Sequence, residues 1–182
     1  MSELTITHAG STVTQLRPGM GSSNERLNQM KTKVFSITPD TATEACATGD
    51  VIFQADELSN FMSEKGGTAI IQSICILDDD DHGKAIDIVF MDSTGLLDEG
   101  DDGGTIDTDD DTDSAPGQIL GVVSVTNYFD GLQFQYGQKD NIGLAIKSAS
   151  TTRSVYLAAV NRGSSSTWTA AGLHLKIGYI QD

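Results

Sequence analysis

The sequence predicts an all-β fold: a single-domain, jelly-roll-like β-sandwich carrying an extended N-terminal arm. Short apolar runs rich in β-branched and aromatic residues recur from Val34 onward, each closed by Gly, Asp, Asn or Ser, as strands with one or both faces buried would be. The spacing of these runs in the C-terminal third is that of a two-sheet sandwich. Leu58, Phe61 and Met62 have helical spacing, but Gly66-Gly67 stops them after one turn. Strands without helices must pack sheet on sheet. A chain of 182 residues suffices for one core that buries about 70% of the surface the unfolded chain exposes.

Residues 1–33 read as the arm. Thr, Ser, Gly, Asn and Gln dominate from Ser11 to Gln29, Pro18-Gly19 and Gly21 break any period, and Arg17, Arg26, Lys31 and Lys33 make the segment mildly basic. Two readings stay open: a frayed terminus, or an arm that orders on a neighbouring subunit through those cations. The sandwich follows over 34–182. Val34 to Thr38 alternates until Pro39-Asp40, Val51 to Ala55 follows the turn at Gly49-Asp50, and the segment around Phe61 reads as a loop laid over the core.

The central stretch, Ile70 to Asp92, reads as a hairpin. Ile70–Leu77 and Ile86–Met91 are its strands, and Asp78-Asp79-Asp80-Asp81-His82-Gly83-Lys84 is a turn whose adjacent carboxylates should all project into water. Residues 93–118 form an acidic surface excursion. Ile119 to Thr126 reads as a strand buried on both faces. Leu132 to Tyr136 reads as one with Leu132, Phe134 and Tyr136 on a shared face. Asn141–Lys147, Ser154–Val160 and Leu173–Ile180 complete the sheets, the last with Leu173, Leu175, Ile177 and Tyr179 inward and His174 and Lys176 outward.

The net charge of −15 is concentrated. Fifteen of the 26 acidic residues, but only one of the 11 basic ones, lie between Asp78 and Asp113. A patch of this sign repels phosphate and anionic lipid, so nucleic acid and membrane are excluded as partners of the main surface; cations or a basic protein surface suit it. Met1-Ser2-Glu3-Leu4 lacks the regions of a secretion signal and no apolar run reaches the length of a membrane span, which predicts synthesis in a cytosolic compartment. Cys46 and Cys75 are too few and too far apart for a disulfide scaffold or a zinc knuckle.

Catalysis finds no support in the sequence. The three histidines, His8, His82 and His174, fall in the arm, the acidic turn and the outer face of a strand, outside any nucleophile elbow or zinc-protease motif. No glycine run follows a strand and opens a helix as a phosphate cradle requires. No cofactor is predicted, with a divalent cation as the open alternative: Asp107, Asp109, Asp111 and Asp113 alternate in a way that could offer several oxygens to calcium, against the alternative of a solvated acidic loop. A helix-loop-helix calcium site fails, because Thr112 stands where Gly is required and Gln118 where Glu is required. Asp78 to Asp81 carries the same two readings. Trp168, in the polar run Ser164-Ser165-Ser166-Thr167-Trp168-Thr169, either folds back on its own domain or serves as an interface anchor.

Ile76 to Asp92, Ile119-Leu120-Gly121-Val122-Val123, Asn141-Ile142-Gly143-Leu144, Ala158 to Gly163 and Ala171 to Tyr179 resemble a group of short virion structural proteins of tailed bacteriophages. The resemblance spans about residues 66 to 180 and rests on framework strands and turns, none of them catalytic. It implies a β-sandwich virion component: a capsid decoration or cement protein on the outer capsid surface, made in the host cytoplasm, bound to the major capsid protein, and a homo-oligomer, with a trimer favoured. The alternatives are a tail or head-tail junction component, and a calcium-dependent carbohydrate-binding sandwich with Trp168 at the sugar.

Overall fold

The computed structural model describes residues 31–93 and 118–181, together with the backbone of 4–8 and 11–15. Apart from Gln118, which is helical, the regular structure among the described residues is strand: β1 Leu4–His8, β2 Ser11–Gln15, β3 Lys31–Ile37, β4 Ala45–Cys46, β5 Val51–Leu58, β6 Thr68–Asp78, β7 Ile86–Met91, β8 Ile119–Val125, β9 Tyr128–Asp130, β10 Gln135–Lys147, β11 Val155–Asn161, β12 Ser166–Thr167 and β13 Leu173–Gln181. β1 and β2 pair as an antiparallel hairpin within the segment read as an arm, where the sequence reading placed no strand.

Two sheets form the sandwich, one ordered β3-β13-β6-β10-β9 and the other β5-β11-β7-β8. Among the long strands the first lies beside the last, the second beside the second-last, the third beside the third-last, and the middle two beside each other. That is the jelly-roll order, in which successive strands alternate between sheets except for the middle two, β7 and β8, which share one. A short pair, β4 with β12, closes one end.

The topology overturns the central hairpin. β6 pairs with β10 and β13 in one sheet, and β7 with β11 and β8 in the other, so the acidic turn is an arch across the sandwich. Both strands are apolar enough to form a hairpin. What separates them is that each finds two other partners, and a strand with two neighbours in its own sheet leaves no edge for a third.

The core lies between the sheets. Ile74 and Ile76 from β6, Ile88 and Phe90 from β7, Leu157 and Ala159 from β11, and Leu175 and Ile177 from β13 are all buried, and the alternation read for the last strand holds. The loop after β5 covers one end with Phe61 and Met62, Phe61 stacking on Tyr179 with ring centroids 3.9 Å apart. The sheets approach so closely at β8 and β10 that a Cβ on Gly121 would fall 2.7 Å from the Leu144 side chain.

Two strand readings change. β8 is an outermost strand, with Val122 49% exposed and Val123 and Val125 buried, so it has one buried face and not two. Leu132 and Phe134 precede β10 and lie in the turn closed by Gly131 N–H donating to the Phe134 carbonyl at 2.8 Å, which leaves Leu132 94% exposed. The alternation of Leu132 to Tyr136 is compatible with a strand, but Gly131 bends the chain before the ladder begins.

Asn161, fully buried at the end of β11, ties the closed end together. Its Nδ2 donates to the carbonyls of Cys46 at 2.9 Å and of Ala47 and Ser164 at 3.2 Å, while its Oδ1 accepts from Gly163 N–H at 2.9 Å. Removing the amide would leave buried carbonyls without a donor. Asn161→Ala should lose about 2–4 kcal/mol of stability, measured by urea unfolding followed through Trp168 fluorescence.

Candidate functional site

The acidic turn that joins β6 to β7 is not the solvated tip the sequence suggests. Asp78, the last residue of β6, is fully buried. Its Oδ1 accepts from Asp80 N–H at 3.1 Å, and its Oδ2 from His82 N–H and Gly83 N–H, each at 3.0 Å. The carboxylate thus fills a concavity of backbone amides, an environment that offsets the cost of burial. Burial still dominates and raises the Asp78 pKa above its ordinary value, with the Gly83 amide, the His82 charge and the Asp80 and His82 amides pulling it down. Burial and the Asp78 charge together push up the neighbouring Tyr128 phenol, whose hydroxyl has no hydrogen-bond partner among the described residues.

The other three carboxylates diverge. Asp79 Oδ2 lies 2.9 Å from His174 Nε2 on β13. Asp80 accepts from Thr169 N–H at 2.8 Å and from Thr169 Oγ1 at 2.9 Å, and it sits so close to Gly172 that an added Cβ would overlap its Oδ2. Asp81 Oδ1 accepts from Gln135 Nε2, which also donates to Asp130 Oδ1, both at 2.8 Å. Each acid therefore holds a different segment. The repulsion expected of adjacent carboxylates is relieved by separate protein donors, and no group of three or more metal-ligating side chains converges among the described residues.

His82 and Trp168 complete the turn. His82 Nε2 donates to the Thr167 carbonyl at 2.8 Å, and its ring meets the Trp168 indole edge-on at a centroid distance of 5.3 Å. Trp168 is 1% exposed and belongs to the core, so the interface-anchor reading is corrected: the polar run around it is surface, but the ring turns inward beneath the acidic arch. Lys31 and Lys33 lie on β3, paired with β13, rather than in a free arm. Arg17 and Arg26, and Asp107, Asp109, Asp111 and Asp113, lie outside the described residues.

A feature absent from the sequence reading lies on the outer face of the five-stranded sheet. Phe129 on β9 faces Tyr136 on β10, Tyr136 faces Leu77 on β6, and Leu77 faces His174 on β13, so four cross-strand neighbours form one continuous row. Phe129 is 67% exposed, and Leu132 and Phe134 project from the adjoining turn. Tyr136 is pinned by a side-chain hydrogen bond with the Cys75 thiol, the main cause of a pKa pushed up to about 12. Where the row meets β3, a shallow groove of about 380 Å³ is lined by Ser36, Ile37, Thr38, Leu77, His174 and Lys176.

Thr38 Oγ1 lies 2.8 Å from His174 Nδ1, making a hydroxyl–imidazole–carboxylate chain with Asp79. Nε2–H donates to the carboxylate, and Nδ1 accepts from the threonine hydroxyl when the ring is neutral or donates to it when the ring is charged. Such a chain resembles the proton relay of an acyl-transfer site. Here, however, the imidazole and carboxylate side chains are 40% and 51% exposed, in solvent that screens both, and what the chain accomplishes structurally is to clip β3, β13 and the acidic arch together.

No protein-family model and no curated protein matches this chain. Among solved structures it is similar to the tomato aspermy virus structure, at 9% identity over 91% of this chain and 84% of that chain, with a TM-score of 0.38. It is also similar to the infectious bursal disease virus VP2 subviral particle, at 13% identity over 97% of this chain but 37% of that chain, with a TM-score of 0.32. Overlaps this loose establish neither shared ancestry nor a shared role. Among the described residues no helix is long and apolar enough to cross a membrane.

Asp78→Ala leaves three partly buried amides without their acceptor and should cost about 2–4 kcal/mol. Because the folded carboxyl binds its proton more tightly than the unfolded one, its contribution is complete below the unfolded pKa and declines as pH rises through the folded value. Paired urea titrations should therefore show a wider gap between wild type and Asp78→Ala near pH 3 than near pH 7.

Proposed function

We propose that this chain is a non-enzymatic virion structural protein of a tailed phage: a capsid decoration or cement protein that binds the outside of the major capsid lattice and acts as a homo-oligomer, in trimers. The observation that carries the reading is a self-contained core combined with large apolar side chains left in solvent. The sandwich buries its own interior, yet Phe129 on β9 and Leu132 and Phe134 in the turn that follows it stand exposed. Single exposed apolar residues are ordinary, whereas several large ones within one short strand and its turn suit protein contact.

The jelly roll itself does not choose among functions, since capsid, lectin and cupin domains share it. The sugar-binding alternative loses its platform, because a ring as buried as Trp168 cannot stack on a ligand. A cement protein that touches two subunits of an assembled shell binds tightly only where the lattice presents both, and so stabilises the shell more than the free subunits.

Quantitative mass spectrometry of purified particles is the test. A copy number that scales with the capsid lattice is expected. A few copies per particle would transfer the chain to the tail or head-tail junction, and its absence from particles would end both readings.

A further inference from the structure

We propose that the free edge of β8 is a self-association site, at which a second copy of this chain adds its own β8 antiparallel about a two-fold axis through Val122. The two four-stranded sheets then run on as one. This goes beyond the virion reading and does not depend on it: a two-fold joint leaves three-fold contacts to other surfaces and ties one trimer to the next.

The edge is singled out by what guards the others. An open strand edge is a template for pairing, and charged side chains, bulges and shortness are the usual protection. Among the described residues of the two sandwich sheets, β3 carries Lys31 and Lys33, β5 carries Asp56 and Glu57, and β9 is three residues long and ends in Asp130. Beyond Gly137, where its pairing with β9 stops, β10 carries Lys139, Asp140 and Lys147, and its register shifts between Asp140 and Leu144, with Asn141 and Gly143 at positive φ. β8 has one sheet neighbour, β7, and no charged residue. Its register irregularity lies at its first residues, so Gly121 to Val125 run regularly, and Ile119 and Val122 are exposed.

The occupant follows from symmetry and charge. Val122 is the midpoint of β8, so an antiparallel pair about it overlaps the whole strand and brings no charged side chain against another, in a chain of net charge −15. Ala158, Val89 and Val122 are cross-strand neighbours on the outer face of the sheet, and Val122 against its own image continues that row through Val89 and Ala158 of the second copy. Antiparallel pairing also keeps the acidic segments apart. Residues 94–117, with nine acids and no base, lead into β8 through Gln118. The two Gln118 positions then stand about 27 Å from each other, well beyond the screening length of about 8 Å. Parallel pairing sets them side by side.

Sedimentation equilibrium of the purified chain is the test, with a cross-link to fix the register. The mass of wild type should rise with concentration. Val122→Lys should weaken that association about tenfold or more while Trp168 fluorescence and circular dichroism stay unchanged. Val34→Lys, at an exposed position on β3, should associate as wild type does. In a Cys75→Ser background, Val122→Cys should form a disulfide-linked dimer under mild oxidation, because directly opposed residues hold their Cα atoms about 5 Å apart, within disulfide reach. Ser124→Cys, whose images stand about 14 Å apart, should not. Wild type whose mass stays constant up to about 1 mM overturns the proposal and leaves the edge to a foreign strand. Association that Val122→Lys leaves intact or Val34→Lys abolishes overturns it too, as does a cross-link that forms as readily at Ser124→Cys as at Val122→Cys.

Discussion

The buried Asp78 carboxylate is the constraint on which the rest depends. A jelly roll must carry its chain from one sheet to the other, and in that passage the backbone amides leave one ladder before they reach the next. Asp78 accepts from three of them at once, which holds the arch closed. Its neighbours then reach outward in different directions, Asp79 to β13, Asp80 to the loop before β13 and Asp81 to the start of β10. A single short acidic segment thereby sets where four pieces of chain meet at one end of the molecule. The exposed aromatic strip begins beside that junction, and its position is inherited from it.

Much of the framework was legible in the sequence. The period of two from Leu173 to Tyr179 could place its side chains because one face is buried and the other wet, and the structure keeps that division. β7 and β11 were legible as strands by their apolar runs alone. Pairing was not legible, because Ile70–Leu77 and Ile86–Met91 are equally good partners for each other and for the strands they actually join; the choice is made by the whole topology. The same limit applies to β8, whose uncharged composition resembles that of an interior strand although it lies at an edge.

The candidate site was legible only in part. An acidic cluster is visible in any sequence, but whether its carboxylates converge on an ion or diverge to separate donors depends on partners such as Thr169 and His174, some 90 residues away. Trp168 misled through its neighbours: serines and threonines mark a surface turn, yet its ring packs inward against His82 of the arch. Phe129 drew no attention because Tyr128-Phe129-Asp130 is too short to show a period. Its meaning comes from lying in register with Tyr136, which pairing on the sheet establishes and local sequence does not.

The strand order also has a bearing on how the molecule is made. β13 lies between β3 and β6, and Thr38 and His174 meet across 136 positions of sequence. During synthesis the five-stranded layer therefore stands with a gap in its middle until residues 173–181 leave the ribosome, and two unsatisfied edges face each other across that gap. Closing them requires contacts of very high sequence separation, the slowest kind to form. The nascent chain must spend its longest wait with open β-edges at its centre, and at high expression that interval is when like chains can invade one another's unfinished sheets.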